Sequence, residues 1–232
     1  MNKYPSTLNK TLMNNTLPAV FIGYDSSQHV ASQVCEHSIK KYNQHATVQL
    51  LDYKTIKEYT RPRDPLASTE FTFTRFLVPY LNSYQGWAVF CDCDFLWKCD
   101  VAELLDLKDN SKAVMVVKHD YVPKSNIKMN NKVQTVYPKK NWSSMILWNC
   151  SHPANRALTP DLVNTASADY LHQFKWLDDS EIGELDKTWN WLTGYYHNDC
   201  PKAIHYTDGG PWLGIIDEYS DDWLTAKDEG NF

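Results

Sequence analysis

The sequence lacks the features that mark two large classes of protein. No apolar stretch approaches the length of a membrane-spanning helix, so we expect no transmembrane segment. The chain also lacks a basic block, since 28 acidic and 23 basic residues give a net charge of −5 and Lys139-Lys140 is only a pair. Because a nucleic-acid-binding surface is normally basic, we expect no nucleic-acid partner.

Cysteines are few and scattered. The chain has six, and neither their spacing nor a secretory signal pattern indicates a disulfide framework. Free thiols in a reducing compartment are the simpler interpretation, which predicts a soluble, cytoplasmic protein. Cys91, Cys93 and Cys99 lie close together, but Cys91 and Cys93 alternate with acidic residues, so a thiolate zinc site is the weaker hypothesis.

Aromatic residues, in contrast, are abundant, with nine Trp and fourteen Tyr. Such a composition fits an aromatic core, and it equally fits a site where rings stack on sugars or bases. Composition does not choose between the two.

The first part of the chain predicts an α/β fold. An apolar strand at 19–24, an amphipathic helix at 28–42 and a strand at 46–53 form a βαβ unit, whose crossover implies a parallel sheet. A length of 232 residues suits one domain. We therefore predict a flexible N-terminal arm over 1–17 and a single domain over 18–232.

The second half of the chain has weaker patterns. We predict a hairpin strand at 133–137 beside another strand at 145–148, and segments at 160–174 and 182–192 that are wholly or partly helical. The tail at 204–232, rich in Gly, aromatic and acidic residues, predicts irregular structure that covers the active site.

The most informative local feature is Asp92-Cys93-Asp94, which directly follows the apolar run 87–91. In open α/β sheets, ligands bind at the carboxyl ends of strands. Residues i and i+2 of a strand share a face, so both carboxylates can converge on one hard cation, whose open positions suit phosphate oxygens. The alternative is a pair of acids that cap the helix starting near Asp100. The apolar strand before the pair favours an enzyme that holds a diphosphate through a metal.

A second candidate segment surrounds His205. A lone histidine is usually a hydrogen-bonded polar residue without a ligand. However, Gly209 and Gly210 follow closely and permit close approach of a pyrophosphate, and Trp212 after Pro211 is placed to line a pocket.

Arg75 and the acidic segment 178–181 are further candidates. Arg75 lies on a predicted helix before the metal strand, where it fits a phosphate or ribose contact, or else a surface salt bridge to Glu70. The acidic segment can orient an acceptor hydroxyl or supply a general base. It is equally compatible with an acidic helix start that the helix dipole favours.

Taken in order, these segments resemble the GT-A glycosyltransferases, especially the glycogenin and galactosyltransferase-like group called family 8. The matching segments are Tyr24-Asp25, 74–81, Asp92-Cys93-Asp94, 142–149, Asp179-Ser180-Glu181-Ile182 with Trp189-Asn190, and 205–212. Each motif is weak alone, but the ordered set spans most of the chain and is specific.

The resemblance implies a GT-A domain with a mainly parallel sheet, flanking helices and a small antiparallel hairpin near the active site. It implies transfer of a sugar from a nucleotide-diphosphate donor, with a UDP-sugar favoured, to a hydroxyl of a saccharide or glycoconjugate acceptor. Asp92, Asp94 and His205 would hold a Mn2+ or Mg2+ ion. The implied donor-binding residues are Tyr24, Asp25, Arg75, Asp92, Ser144, Gly209, Gly210 and Trp212.

Two positions depart from the family pattern. Gly210 replaces a Lys that contacts the diphosphate, and Ser180 replaces a Gln that lies near the reacting carbon in retaining members. If Asp179 or Glu181 reaches the acceptor hydroxyl as a base, inversion is possible, so we predict these two as catalytic residues. The stereochemical outcome stays open.

Two alternatives compete with this interpretation. Haloacid-dehalogenase-type phosphatases also carry Asp-x-Asp after a buried strand, but usually near the N-terminus, and here Phe95-Leu96-Trp97 follows the motif. A carbohydrate-binding module would also use many aromatics, but such modules are usually all-β.

Overall fold

A computed structural model describes residues 18–64, 67–120, 127–128, 132–133, 138–197 and 200–232; the predicted arm over 1–17 lies outside them. In this part of the chain the strands are β1 (Ala19–Gly23), β2 (Thr47–Leu51), β3 (Trp87–Cys91), β4 (Phe95–Trp97), β5 (Val114–Val117), β6 (Ile127–Lys128), β7 (Lys132–Val133), β8 (Met145–Asn149), β9 (Ile182–Leu185), β10 (Trp191–Leu192) and β11 (Ala203–His205). The α-helices are α1 (His29–Tyr42), α2 (Val78–Leu81), α3 (Pro160–Thr165), α4 (Ala168–His172) and α5 (Ser220–Gly230). None of these described helices is long and apolar enough to cross a membrane.

The central sheet has the strand order β2-β1-β3-β8-β5-β9. β1 pairs in parallel with β2 and β3, and β5 pairs in parallel with β9, whereas β8 runs antiparallel to both β3 and β5. Five strands therefore point the same way, and their carboxyl ends meet at one edge. α1 connects β1 to β2, which confirms the predicted βαβ unit and the mainly parallel α/β sheet.

The middle of this sheet is deeply buried. Every residue of β5 and β8 is buried, as expected for strands covered on both faces. The Phe76 ring packs edge-on against Trp148 of β8, with centroids 6.5 Å apart. Cys35 of α1 contacts Cys91 of β3, with the sulfurs 3.9 Å apart. These contacts pack α1 and the segment around Phe76 against the middle of the sheet.

A second, three-stranded sheet has the order β10-β11-β4, with β10 and β11 parallel and β11 antiparallel to β4. The chain leaves the central sheet at the end of β3 and enters this sheet at β4. The residues between the two strands, 92–94, therefore form the junction between the sheets.

The segment 182–192, predicted to be helical or partly so, is helical only in part. The segment forms β9, a 3-10 helix at Lys187–Asn190 and β10. β9 pairs with β5, with Ile182 opposite Val114, and it buries Ile182 and Leu185. Pairing with a strand distant in sequence thus overrides the local pattern.

The predicted pairing of 133–137 with 145–148 is wrong. Both edges of β8 are occupied, one by β3 and the other by β5. β7 pairs instead with β6 in a small antiparallel hairpin, and residues 134–137 lie outside the described part of the chain.

The tail predicted to be irregular contains α5. Asp221 and Asp222 lie in the first turn of this helix, where the helix dipole favours acidic side chains. Trp223 and Ala226 are buried in a cluster with Val34 of α1. The prediction of irregular structure is therefore wrong for 220–230, because packing against α1 orders the segment.

Candidate active site

The turn between β3 and β4 carries Asp92 and Asp94. The Asp92 N–H donates to the Ser144 carbonyl oxygen at 2.9 Å, and the Asp94 carbonyl oxygen accepts from the Tyr206 N–H at 3.0 Å. The carboxylates converge because the chain turns between two sheets, whereas the sequence predicted that they share a strand face. Cys93 is a small buried residue between the two acids, and this burial raises the pKa of its thiol well above the usual value.

The pairing of β11 with β4 brings His205 to this turn. The register sets His205 opposite Phe95, the residue after Asp94. The His205 and Phe95 rings stack with centroids 4.6 Å apart and planes at 19°. His205 is buried, and its Nε2 lies 3.5 Å from Asp94 Oδ1. A residue far away in sequence is thereby held beside the second aspartate.

Asp92, Asp94 and His205 together fit a divalent cation. Each offers one ligand atom, and these atoms lie within 4.8 Å of one another. Asp94 Oδ1 is buried without a hydrogen-bond partner among the described residues. A buried carboxylate oxygen in that state is costly unless a cation neutralises it. Two carboxylates and an imidazole can together hold a divalent cation, and the identity of the ion, Mn2+ or Mg2+, stays a prediction.

Arg75 lies behind Asp92. It belongs to the 3-10 helix Thr74–Leu77, and its side chain is 6% exposed. Its Nη1 lies 2.8 Å from Asp92 Oδ1 and donates to the Ser143 carbonyl oxygen at 2.7 Å. Its Nε donates to the Thr72 carbonyl oxygen at 3.2 Å. These contacts orient Asp92, and the predicted contact of Arg75 with the nucleotide stays a prediction.

A cavity of about 170 Å³ opens beside the three candidate ligands. Mostly polar residues from the carboxyl edge of the sheet and from nearby loops line it. They are Ser27, Gln28, Ser68, Thr69, Asp92, Asp94, Asn141, His205, Thr207 and Leu213. The location agrees with the general rule that open α/β sheets bind ligands at this edge.

Comparison with known proteins establishes the family. The model of "Glycosyl transferase family 8" matches residues 6–215. The chain belongs to glycosyl transferase family 8. Protein CDI of Arabidopsis thaliana is 48% identical to it over 226 residues, which cover 91% of this chain and 86% of that protein.

Solved structures show the same fold. The bifunctional glycosyltransferase WbbM matches 93% of this chain with a TM-score of 0.63 and 17% identity. The apo form of GlyE from Streptococcus pneumoniae matches 92% of this chain with a TM-score of 0.62 and 15% identity. This chain spans 50% and 60% of the length of those two proteins. The galactosyltransferase LgtC, solved with donor and acceptor sugar analogs, matches with 0.61 and 10% identity over 91% of this chain and 95% of its own.

These findings settle the competing interpretations. The fold is GT-A, as predicted, and its mixed α/β architecture excludes the all-β carbohydrate-binding module. Membership of family 8 removes the haloacid-dehalogenase phosphatase. The chain is therefore a family 8 glycosyltransferase.

In this family 8 chain, Tyr24 and Asp25 lie at the carboxyl end of β1, at the same edge of the sheet as Asp92. Asp25 is buried, and its carboxylate accepts hydrogen bonds from the Ser27 N–H at 2.9 Å, the Ser27 hydroxyl at 2.6 Å and the Glu70 N–H at 3.0 Å. Asp25 thus joins the β1 loop to the segment around Glu70. The Tyr24 hydroxyl lies 3.2 Å from His29 Nδ1.

Four predicted donor residues remain, namely Ser144, Gly209, Gly210 and Trp212. Ser144 lies under His205, with its Oγ 3.4 Å from Nδ1. Gly209 has φ +100°, a conformation that favours glycine. A Cβ on Gly210 would lie 2.4 Å from the Trp212 ring, so any larger residue would force this ring to move. Trp212 packs on Tyr206 and Trp223, and donor contacts for this group stay predictions.

The structure does not bring Glu181 to the metal site. Glu181 precedes β9, at the amino end of a strand parallel to β3, and its carbonyl oxygen accepts from the Ala113 N–H. The five residues of β3, at about 3.3 Å each, separate the two edges of the sheet by roughly 16 Å. Asp179 is 88% exposed and pairs with Lys139 at 2.7 Å, a hydrogen bond that lowers the Asp179 pKa.

Sequence reasoning missed His119, which follows β5 at the same edge as Asp92. Its Nδ1 lies 2.7 Å from the Tyr196 hydroxyl, and the two rings stack. Burial and, secondarily, the charge of His205 lower the His119 pKa to about 3. The signal was present, because a polar residue directly after a buried parallel strand lies at the ligand-binding edge.

Proposed function

We propose that this family 8 glycosyltransferase transfers a sugar from a nucleotide-diphosphate donor, with UDP as the nucleotide, to a hydroxyl of a saccharide or glycoconjugate acceptor, and that the reaction depends on Mn2+ or Mg2+. The convergence of Asp92, Asp94 and His205, with a buried Asp94 oxygen that lacks a hydrogen bond, carries the proposal. A bound divalent cation would neutralise the leaving diphosphate as the sugar passes through an oxocarbenium-like state.

The chain's own residues would prepare this step in two ways. Arg75 holds one Asp92 oxygen, so the carboxylate is oriented before any ligand arrives. The polar cavity beside the three ligands provides room for the diphosphate, and Tyr24 and Asp25 lie at the same edge, where we propose that the base and ribose bind. Pre-oriented ligands lower the cost of reorganisation in the transition state.

The metal-dependent donor site is tested by titrating UDP into the protein with Mn2+ and with EDTA. We expect binding that needs Mn2+ in the wild type and is lost in Asp94→Ala. The exposed Asp161→Ala, which lies in α3, is the control and keeps binding. Equal affinity for UDP without metal, unaffected by Asp94→Ala, would remove the proposal.

The donor sugar is identified by incubating common nucleotide sugars with the protein and Mn2+ and measuring slow hydrolysis, which needs no acceptor. Hydrolysis of one donor well above the others names the substrate. If no donor is hydrolysed and none competes with UDP, transfer from a nucleotide sugar is rejected.

A role for Asp179 or Glu181 as the acceptor base stays a proposal that rests on the resemblance alone. If one of them is the base, Asp179→Asn or Glu181→Gln lowers transfer roughly 100- to 10,000-fold and leaves the Mn2+ affinity unchanged. Unchanged transfer in both variants would rule the role out.

A further inference from the structure

The side chain of Asn190 lies directly behind the candidate metal ligand His205. Asn190 ends the 3-10 helix Lys187–Asn190, just before β10, and it is 0% exposed. β10 runs parallel to β11, with Leu192 opposite His205. The pairing of these strands therefore holds the asparagine next to the histidine.

The neighbours of Asn190 determine the orientation of its amide. The Ser144 hydroxyl donates its one proton to the Asn141 carbonyl oxygen at 2.7 Å, so Ser144 Oγ is left as an acceptor. Asn190 Nδ2 lies 2.8 Å from this Oγ and 3.4 Å from the same carbonyl oxygen. Both of these groups accept, so the NH2 group of the amide must face them; the hydrogen bond between Asn190 and His119 favours the protonated His119 ring, as expected for a contact with the amide oxygen. Its Oδ1 then faces His205.

This orientation selects one tautomer of His205. Asn190 Oδ1 lies 2.9 Å from His205 Nδ1, and Ser144 Oγ lies 3.4 Å from the same nitrogen. Two acceptors face Nδ1, so Nδ1 carries the proton. In the neutral ring, Nε2 then presents its lone pair, and it does so 3.5 Å from Asp94 Oδ1.

The stacking of His205 on Phe95 does not by itself decide which ring atoms face the carboxylates. A 180° flip about Cβ–Cγ keeps the ring plane but places Cε1 where Nε2 was. A partner at either ring nitrogen distinguishes the two orientations, and the closest one is the Asn190 Oδ1, 2.9 Å from Nδ1, whereas Asp94 Oδ1 lies 3.5 Å from Nε2. Two ligand atoms bound to one ion at 2.0–2.2 Å lie about 3–4 Å apart, which matches the 3.5 Å separation.

We infer that Asn190 is a positioning residue that holds His205 as its Nδ1–H tautomer, with the Nε2 lone pair directed at the metal site. The inference rests on the proposed function in one respect, namely that His205 is a metal ligand. Partners of this kind, which hydrogen-bond the second nitrogen of a ligating histidine, typically change metal affinity 10- to 100-fold when they are removed.

The tautomer is tested in the metal-free protein by long-range 1H–15N NMR of the histidine rings, at a pH where they are neutral. Signals that disappear in His205→Ala assign His205 among the eight histidines. We expect a protonated Nδ1 and an unprotonated Nε2 in the wild type. A protonated Nε2 would overturn the inference, and no variant of Asn190 needs to fold for that result.

Two substitutions then test the hydrogen bond. Asn190→Leu removes the acceptor at similar volume, and we expect the Nδ1–H tautomer to be lost and the Kd for Mn2+ to rise roughly 10- to 100-fold. Asn190→Asp keeps an oxygen at Nδ1, and we expect it to keep the tautomer and to bind Mn2+ more tightly than Asn190→Leu. Equal tautomer populations and equal Kd values in wild type and both variants would overturn the inference.

Asn155→Leu is the matched control. Asn155 is also 0% exposed, and its Nδ2 donates to the carbonyl oxygens of Ala113 and Asn149 at 2.8 Å, at the opposite edge of the sheet. We expect it to lower stability without changing the Kd for Mn2+ or the His205 tautomer. If the wild type binds no Mn2+, the proposed function fails, while the NMR result still decides the tautomer.

Discussion

Asp94→Asn is expected to stabilise the metal-free protein while abolishing its response to metal. The Asp94 side chain is 9% exposed, and its Oδ1 has no hydrogen-bond partner among the described residues. The nearest ring nitrogen of His205 presents a lone pair to that oxygen if Nδ1 holds the proton. An asparagine NH2 group would donate to this nitrogen and remove a buried charge beside Asp92.

The size of the effect follows from this local chemistry. A buried polar group without a partner costs about 1–3 kcal/mol, so Asp94→Asn should raise the free energy of unfolding in EDTA by about that amount. For a chain of this length, each kcal/mol shifts the Tm by about 2–4 °C. In the wild type, Mn2+ at one hundred times its Kd should add about 2.7 kcal/mol, and this gain should vanish in the variant. The order of stability therefore reverses with metal if the variant gains less than about 2.7 kcal/mol in EDTA, and saturating Mn2+ further raises the wild type alone.

The assay is thermal unfolding followed by circular dichroism, in EDTA and in Mn2+, for wild type, Asp94→Asn and Asp25→Asn. Asp25 is equally buried, but its carboxylate accepts three hydrogen bonds. Asp25→Asn should therefore destabilise the protein in both buffers. Opposite effects of Asp94→Asn and Asp25→Asn in EDTA would show that the Asp94 carboxylate lacks hydrogen bonds that the Asp25 carboxylate has.

Two results would refute this reasoning. Destabilisation of Asp94→Asn in EDTA would show that the charge is compensated within the protein. An equal rise in Tm on adding Mn2+ to wild type and variant would show that the ion binds elsewhere.

Two further predictions concern stability and pH. Arg75→Met removes the buried guanidinium that pairs with half-buried Asp92, and it should lower the urea-derived free energy of unfolding by about 3 kcal/mol. A double-mutant cycle with Asp92→Asn that shows no coupling would contradict the pairing. The folded-state pKa of His119 is about 3, below the ordinary value of 6.5. Between these two pH values the unfolded state binds more protons than the folded state. The free energy of unfolding therefore falls as the pH drops below 6.5. Between pH 6.5 and 4.5, the free energy of unfolding of the metal-free wild type should fall by about 2 kcal/mol more than that of His119→Gln, since each pKa unit corresponds to about 1.4 kcal/mol. Parallel curves of unfolding free energy against pH for the two proteins would contradict this prediction.

Several features were predictable because the information is local. The apolar and helical patterns of the first part of the chain predicted the βαβ unit, because side-chain periodicity reports which faces are buried. Asp92 and Asp94 were recognisable because they follow an apolar strand, whatever that strand pairs with. The ordered motifs predicted the family, which the comparisons confirm.

Other features depended on contacts between distant segments. The segment 182–192 has a helical pattern but forms β9 and β10, because pairing with β5 and β11 outweighs local preference. The position of His119 after β5 was readable from the sequence, but its contacts with Tyr196 and Asn190 were not, because those residues are far away along the chain.

The sequence by itself determined that two carboxylates follow a buried strand in a GT-A domain, because that pattern is written in consecutive residues. Only the tertiary structure decided what surrounds them. The register of β11 against β4 places His205 beside Asp94, and the 3-10 helix before β3 directs Arg75 at Asp92. The resemblance implied that His205 and Arg75 belong to this site. It gave neither their contacts nor their distances, because these follow from strand pairing and core packing between segments distant in sequence.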